Sequence, residues 1–243
     1  DVGVDCVETN TFGANRIKLK EFGIEEKTVP INRISVELAK KVAATDTYVA
    51  GAVGPCSRHG ETYLEKNNDQ YYNAFEEQCS ALSDAGADFI QLETFSNLRE
   101  LIIAARAAKS TGLPVLASFS VNEEGVSIDG NSAERFTKDL VLDNSVDIVG
   151  INCGLGPAGA YEVLKNIINI CTKPLIVMPN SGLPRDIGGR VMYMTSPDYF
   201  AKYAKRFIQL GARGIGGCCG ITPVHIQKAV KGIKNLSEIN EYQ

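Results

Sequence analysis

Val146-Asp-Ile-Val-Gly-Ile-Asn-Cys-Gly154 is a short apolar run that ends on a polar pair and a glycine. The run from Val146 to Ile151 has the composition of a β-strand, which places Cys153 just beyond its end. The arrangement recurs at Arg213-Gly-Ile-Gly-Gly-Cys-Cys-Gly220, where Cys218 and Cys219 follow a strand over Arg213 to Gly217. If both strands belong to one parallel sheet, all three sulfurs leave it at the same end. Three converging thiolates with no fourth protein ligand close in sequence suit a zinc ion with one open position. The competing reading is that each cysteine is a small buried hydrophobe. Glycine on both sides of the Cys218-Cys219 pair frees the backbone to approach a metal.

Outward from these two stretches, strands and helices alternate. Strands are expected over Gly3 to Thr9, Thr47 to Val53, Asp88 to Leu92, Val115 to Val121, Val146 to Ile151, Leu175 to Met178 and Arg213 to Gly217. Helical spacing falls over Val29 to Ala44, Asp69 to Ala85, Leu98 to Ser110, Ala133 to Leu142, Ala158 to Cys171, Asp198 to Leu210 and Thr222 to Ile233. A polar, Gly/Pro-rich loop is expected over Asn180 to Pro197. Seven β-α units of roughly 30 residues with no linker predict one domain over residues 1–243, built on a parallel sheet with crossover helices. The polar and Gly-rich motifs cluster after strand ends, which is the active-site face of a (β/α)8 TIM barrel. A doubly wound open sheet is the rival, but no Gly-x-Gly-x-x-Gly follows an early strand.

Composition narrows the function. The 243 residues carry a net charge of −4 and no long basic run, which disfavours nucleic acid and anionic membrane. No apolar stretch reaches the ~20 residues of a membrane span, and no signal peptide is visible, so a cytoplasmic protein is expected. Seven cysteines, an odd number with two adjacent, fit reduced thiols and a metal better than a disulfide framework. The opening Asp1-Val-Gly-Val reads as a piece of a longer protein.

Other strand ends carry further candidates. Glu93 closes an apolar strand, where an unpaired carboxylate is costly to bury. It either meets a substrate ammonium or is solvated. Glu8, in Glu8-Thr-Asn-Thr-Phe-Gly-Ala14, sits similarly and reads as support for its loop. Asn180, in Met178-Pro-Asn-Ser-Gly182, either serves the site or forms an Asx-type turn. His225 falls in the first turn of the last helix, behind a Thr222 cap and Pro223, and reads as part of a capping turn. His59, in Cys56-Ser-Arg-His-Gly60, reads as a surface residue. Cys6, Cys79 and Cys171 read as core residues, and Cys56 as a loop thiol without partners.

Taken in order, Glu8-Thr-Asn-Thr-Phe-Gly-Ala14, Gly54-Pro55, Glu93-Thr-Phe95, Gly150-Ile-Asn-Cys153, Pro179-Asn-Ser-Gly182 and Gly216-Gly-Cys-Cys-Gly-Ile-Thr-Pro223 resemble the homocysteine S-methyltransferase family along essentially the whole chain. That family includes the homocysteine-binding domain of cobalamin-dependent methionine synthase and betaine–homocysteine methyltransferase. Leu183-Pro-Arg185 and Ser196-Pro-Asp-Tyr-Phe200 look most like bacterial members, some of which are fused to a methylenetetrahydrofolate reductase module.

The resemblance implies a (β/α)8 barrel with Zn²⁺ at its mouth, held by Cys153, Cys218 and Cys219. It implies that Glu93 holds the homocysteine ammonium, with Thr94, Asn10 and Thr11 also in the substrate site. Asn180 would sit at the zinc and fill its fourth position when substrate is absent. The family's opening strand, with Asp-Gly-Ala/Gly, has no counterpart here, so the barrel is expected to lack its first strand.

The implied chemistry needs no general base in the transfer step, which fits two histidines in the chain. A free thiol of pKa about 8.5 is mostly protonated at neutral pH, and zinc coordination removes its proton. The methyl donor is left open among methylcobalamin on a fused or partner domain, S-methylmethionine, S-adenosylmethionine and betaine. Betaine calls for an aromatic cage; the chain has no Trp, and Tyr63, Tyr71 and Tyr72 are the aromatic candidates. The alternatives are a zinc- and homocysteine-binding module active only within a larger protein, and a structural zinc site.

Overall fold

In the computed structural model of the protein, residues 2–58 and 68–240 are described. The chain runs β1 (Cys6–Glu8), α1 (Arg16–Lys20), α2 (Thr28–Val42), β2 (Tyr48–Val53), α3 (Asn68–Asp84), β3 (Phe89–Phe95), α4 (Leu98–Lys109), β4 (Val115–Phe119) and α5 (Ala133–Leu142). It continues β5 (Ile148–Asn152), α6 (Pro157–Ile167), β6 (Leu175–Met178), β7 (Arg185–Ile187), β8 (Arg190–Met192), α7 (Pro197–Leu210), β9 (Gly214–Ile215) and α8 (Pro223–Asn240).

Seven strands form one parallel sheet in the order β1-β2-β3-β4-β5-β6-β9. Each strand pairs with the one before it, so the C-terminal ends of all seven fall on one side. β1 pairs with β2 and β9 with β6, and the two outer strands do not pair with each other among the described residues. The architecture is α/β, with the strand-helix alternation of a TIM-barrel-like fold of which part is missing.

The sequence explains the layering. All five residues of β4 are buried, as are Val49 to Val53 of β2, the signature of strands covered on both faces. Phe75, Phe95, Phe119, Phe136 and Phe207 are fully buried in the main core, and Phe119 stacks on Phe136 at 4.8 Å between centroids. α4 turns Leu101, Ala104, Ala105 and Ala108 inward at helical spacing. Its first turn is capped by Asn97, which accepts the Glu100 N–H. Ser132 and Ser196 cap α5 and α7 in the same way. α7 ends at Gly211, whose φ of 118° is the left-handed stop that glycine supplies.

The seven parallel strands lie where the sequence predicts them, with shifted ends. β1 is only three residues long, because Cys6 to Glu8 is the length that Tyr48 to Ala50 can pair. β3 runs on through Glu93 and Thr94 to Phe95. The expected loop from Asn180 to Pro197 contains the exposed β7–β8 hairpin, and α1 was not expected at all. No helix among the described residues is long and apolar enough to cross a membrane.

Candidate metal centre

The ends of β5 and β9 bring Cys153, Cys218 and Cys219 together. Cys219 Sγ lies 3.9 Å from both Cys153 Sγ and Cys218 Sγ, and all three sulfurs are within 4.8 Å of one another. A tetrahedral zinc with Zn–S of about 2.3 Å sets its sulfurs roughly 3.8 Å apart. The donor set and its spacing therefore fit zinc. Cys219 is exposed and the other two are half-buried, so the triangle opens to solvent on one side.

The charges agree. Hydrogen bonding, from Cys218 above all, pulls the Cys153 thiol down to about 5 against the cost of burial. Cys218, half-buried on the other side of that bond, is pushed up by it, and burial raises Cys219. A cation between the three sulfurs would favour the ionised form of each. Among the cysteines Cys153 alone is lowered. Burial pushes Cys6 up to about 12 and raises Cys56, Cys79 and Cys171 as well, as for inert thiols.

Local backbone builds the triangle. Cys153 has φ 60°, unusual for a residue with a side chain, and turns the chain out of β5. Gly220 has φ 77°, and a Cβ there would lie 2.4 Å from Tyr193 Cβ, so the Tyr193 ring packs directly on the Cys219-Gly220 bend. The Tyr193 hydroxyl hydrogen-bonds Cys219.

The segment after β6 clamps the cysteine loop. Cys218 N–H donates to the Pro179 carbonyl (2.9 Å), Ser181 N–H to the Cys219 carbonyl (2.8 Å), and Cys219 N–H to Asn180 Oδ1 (3.1 Å). Asn180, buried, also hydrogen-bonds the Cys153 sulfur. Behind it, His225 Nδ1 accepts from Thr222 N–H (3.2 Å), which leaves Nε2–H to donate to the Thr195 carbonyl (2.9 Å). His225 is thus more than a capping residue: it ties α8 to the end of the hairpin segment.

A second cluster lies beside the sulfurs. Glu93 is half-buried at the end of β3, and burial, helped by the charges of Glu8 and Cys153, pushes its pKa up to about 8. Gln91 Nε2 donates to Glu8 Oε1 (2.6 Å); Glu8 is exposed at the end of β1, yet the desolvation of its carboxylate raises it. Glu8 therefore joins the carboxylate pair at this mouth. Thr94 N–H donates to Asn152 Oδ1 and Asn152 Nδ2 donates to Thr94 Oγ1, both at 2.8 Å.

Two other expected site residues lie in the loop after β1. Thr11 is buried and donates its hydroxyl to the Ala52 carbonyl (2.6 Å), which fastens the loop after β1. Asn10, beside it, is exposed. Tyr71 is buried in the main core, and the Tyr72 hydroxyl donates to Glu76 (3.3 Å), one turn along the same helix. The Cys56 thiol is free and buried, and its backbone N–H donates to Glu100 (2.7 Å). His59 and Tyr63 lie outside the described residues. Asn152, Tyr193 and Gln91 were not singled out in the sequence, although Asn152 directly precedes Cys153.

A profile of the family described as homocysteine S-methyltransferase matches residues 1–233. Methionine synthase of Mycobacterium tuberculosis is 31% identical over 97% of this chain, and methionine synthase of Mycobacterium leprae 31% over 98%. The chain spans about a fifth of the length of these relatives (21% of each). Among solved structures, the metallated form of the homocysteine methyltransferase MmuM from Escherichia coli superposes with a TM-score of 0.78 at 26% identity. That match covers 94% of this chain and 79% of the other. The ordered motifs, the seven-stranded sheet and this match together show that the chain belongs to the homocysteine S-methyltransferase family, a family of methyltransferase enzymes.

Proposed function

We propose that this chain is a zinc-dependent homocysteine S-methyltransferase domain. The observation that carries the reading is an open triangle of three sulfurs at zinc spacing, beside a carboxylate that burial holds near neutrality. Cys153, Cys218 and Cys219 would hold Zn²⁺. When bound, the metal supplies a deprotonated and therefore nucleophilic substrate thiol.

The protein's own residues do the rest. Glu93 receives the homocysteine ammonium: a cation entering this half-buried site restores the carboxylate to its charged form. Thr94 and the exposed Asn10 flank the mouth. Thr11 shapes it through the loop rather than by its hydroxyl. Asn180 holds the Cys219 amide and the Cys153 sulfur, so taking the fourth ligand position would require it to share or release them. The transfer forms the sulfur–methyl bond of methionine and breaks the bond from that methyl to its donor, which departs with the electron pair. Positioning is the main contribution of the fold.

The donor stays among methylcobalamin on a fused or partner domain, S-methylmethionine, S-adenosylmethionine and betaine. With Tyr71 in the core, an aromatic cage for betaine loses one of its candidates.

We also propose a complete (β/α)8 barrel for the working protein. A further strand would close the gap between β1 and β9. Ile34, Leu38 and Val42 form an exposed apolar stripe on α2 that a further helix would cover. Seven free cysteines support a reducing, cytoplasmic setting.

A second reading has its own support. The chain spans a fifth of its methionine synthase relatives, which fits a zinc- and homocysteine-binding module that turns over only within a larger protein. Incubating the zinc-loaded chain with homocysteine and each of the four donors, with methionine read by mass spectrometry, separates them. Methionine from any donor, lost in Cys219→Ala, supports the enzyme. Homocysteine binding without turnover supports the module. No homocysteine binding at all contradicts both.

A further inference from the structure

We infer that Asn152 is a positioning residue that locks a bulge in β3 and so aims Glu93 at the substrate amino group; the inference rests on the homocysteine reading above.

The bulge is visible in the register. Leu92 pairs with Ala117 and Phe95 with Phe119, so three steps along β3 face two along β4. One extra residue is accommodated between them, as in a β-bulge. The extra residue decides which side chains face where. In a regular strand side chains alternate, and Leu92 and Phe95 would point to opposite faces. Here both are fully buried in the main core, while Glu93 and Thr94 are left half-buried at the mouth.

A bulge takes a backbone N–H out of the strand ladder, and that donor needs a partner. For Thr94 the partner is a side chain two strands away. Asn152, at the tip of β5, accepts the Thr94 N–H and donates to the Thr94 hydroxyl, each at 2.8 Å. β4 lies between β3 and β5, so the amide reaches past the end of the intervening strand. Asn152 is buried and Thr94 half-buried, so water has limited access to both hydrogen bonds.

The lock holds a conformation the chain would otherwise avoid. Thr94 has φ 61°, a costly region for a β-branched residue. Cys153, the residue after Asn152, also has a positive φ of 60°. Such conformations persist where their surroundings over-determine them, and they gather at functional sites. One side chain thus ties together the two strained strand ends that carry the amino-group subsite and the first sulfur.

A residue needed only for stability or zinc binding would affect every ligand alike. A residue that aims Glu93 affects only ligands carrying the amino group. The test compares homocysteine with 4-mercaptobutanoate, its analogue lacking that group, by calorimetry on zinc-loaded protein, with zinc content measured alongside. Wild type is expected to prefer homocysteine. In Asn152→Leu, homocysteine affinity is expected to fall about tenfold or more, with the analogue's affinity and the zinc content unchanged. Asn152→Ala, which cannot clash, carries the same expectation if the leucine variant does not fold. Equal weakening of both ligands, loss of zinc, or an unchanged preference would overturn the inference. A wild type that binds both thiols equally would overturn the role of Glu93 itself, and one that binds neither would overturn the homocysteine reading.

Discussion

At the scale of single residues, the site pits function against stability. Glu93 has an ordinary pKa of 4.5 and a folded value pushed up to about 8. Between those values the folded chain binds more protons than the unfolded one. The carboxylate therefore lowers stability progressively as pH rises from 4.5 to 8. Glu93→Gln should melt at a higher temperature than wild type at pH 8, the gap narrowing towards pH 5, while its homocysteine affinity falls. Equal melting temperatures at both pH values would count against a buried, substrate-seeking carboxylate. Gly220→Ala makes the opposite case: its Cβ would meet Tyr193 at 2.4 Å in a left-handed backbone. It should lose zinc affinity with all three cysteines still in place, as a chelator competition would read. The cysteines were legible because two adjacent glycine-flanked thiols and a distant third share one strand-end context. Asn152 and Tyr193 were not, since their roles come from reach across elements far apart in sequence. The Thr11 hydroxyl was not legible for the same reason: it closes on Ala52 of the next strand.

At the scale of elements, the segment between β6 and α7 is the part that holds the cysteine loop. His225 bonds Thr195 on one side and Thr222 on the other, with its ring edge-on to Phe200 at 5.9 Å. His225→Ala should cost about 1–3 kcal/mol through the unmet partners it leaves, seen as a lower urea midpoint. Ser196→Ala, which removes the cap of α7, should cost about 1 kcal/mol. Helices with a cap and an apolar stripe, such as α4, α5 and α7, could be read from sequence almost to the residue. The β7–β8 hairpin could not. Its strands are three residues each and exposed throughout, so no burial pattern marks them. The bulge in β3 was hidden too: Gln91-Leu-Glu-Thr-Phe95 gives no sign of where alternation breaks until the pairing partner is known.

At the scale of the whole molecule, the parallel sheet was legible because the strand-helix rhythm repeats seven times and each strand has its neighbour in sequence as its neighbour in space. The open edge was expected only through the family resemblance, because a barrel is a relation between its first and last strands that no local pattern encodes. The sheet gathers three distant sulfurs, so metal binding should couple to global stability: a ligand bound only by the folded state raises the melting temperature by mass action. Chelation should therefore lower the melting temperature of wild type and leave that of Cys219→Ala unchanged. The three-sulfur zinc site is tested by the zinc content of protein purified under reducing conditions, beside Cys219→Ala. About one zinc ion per wild-type chain is expected, with a large loss in the variant. A well-folded wild type that takes up no zinc when the metal is supplied would contradict it.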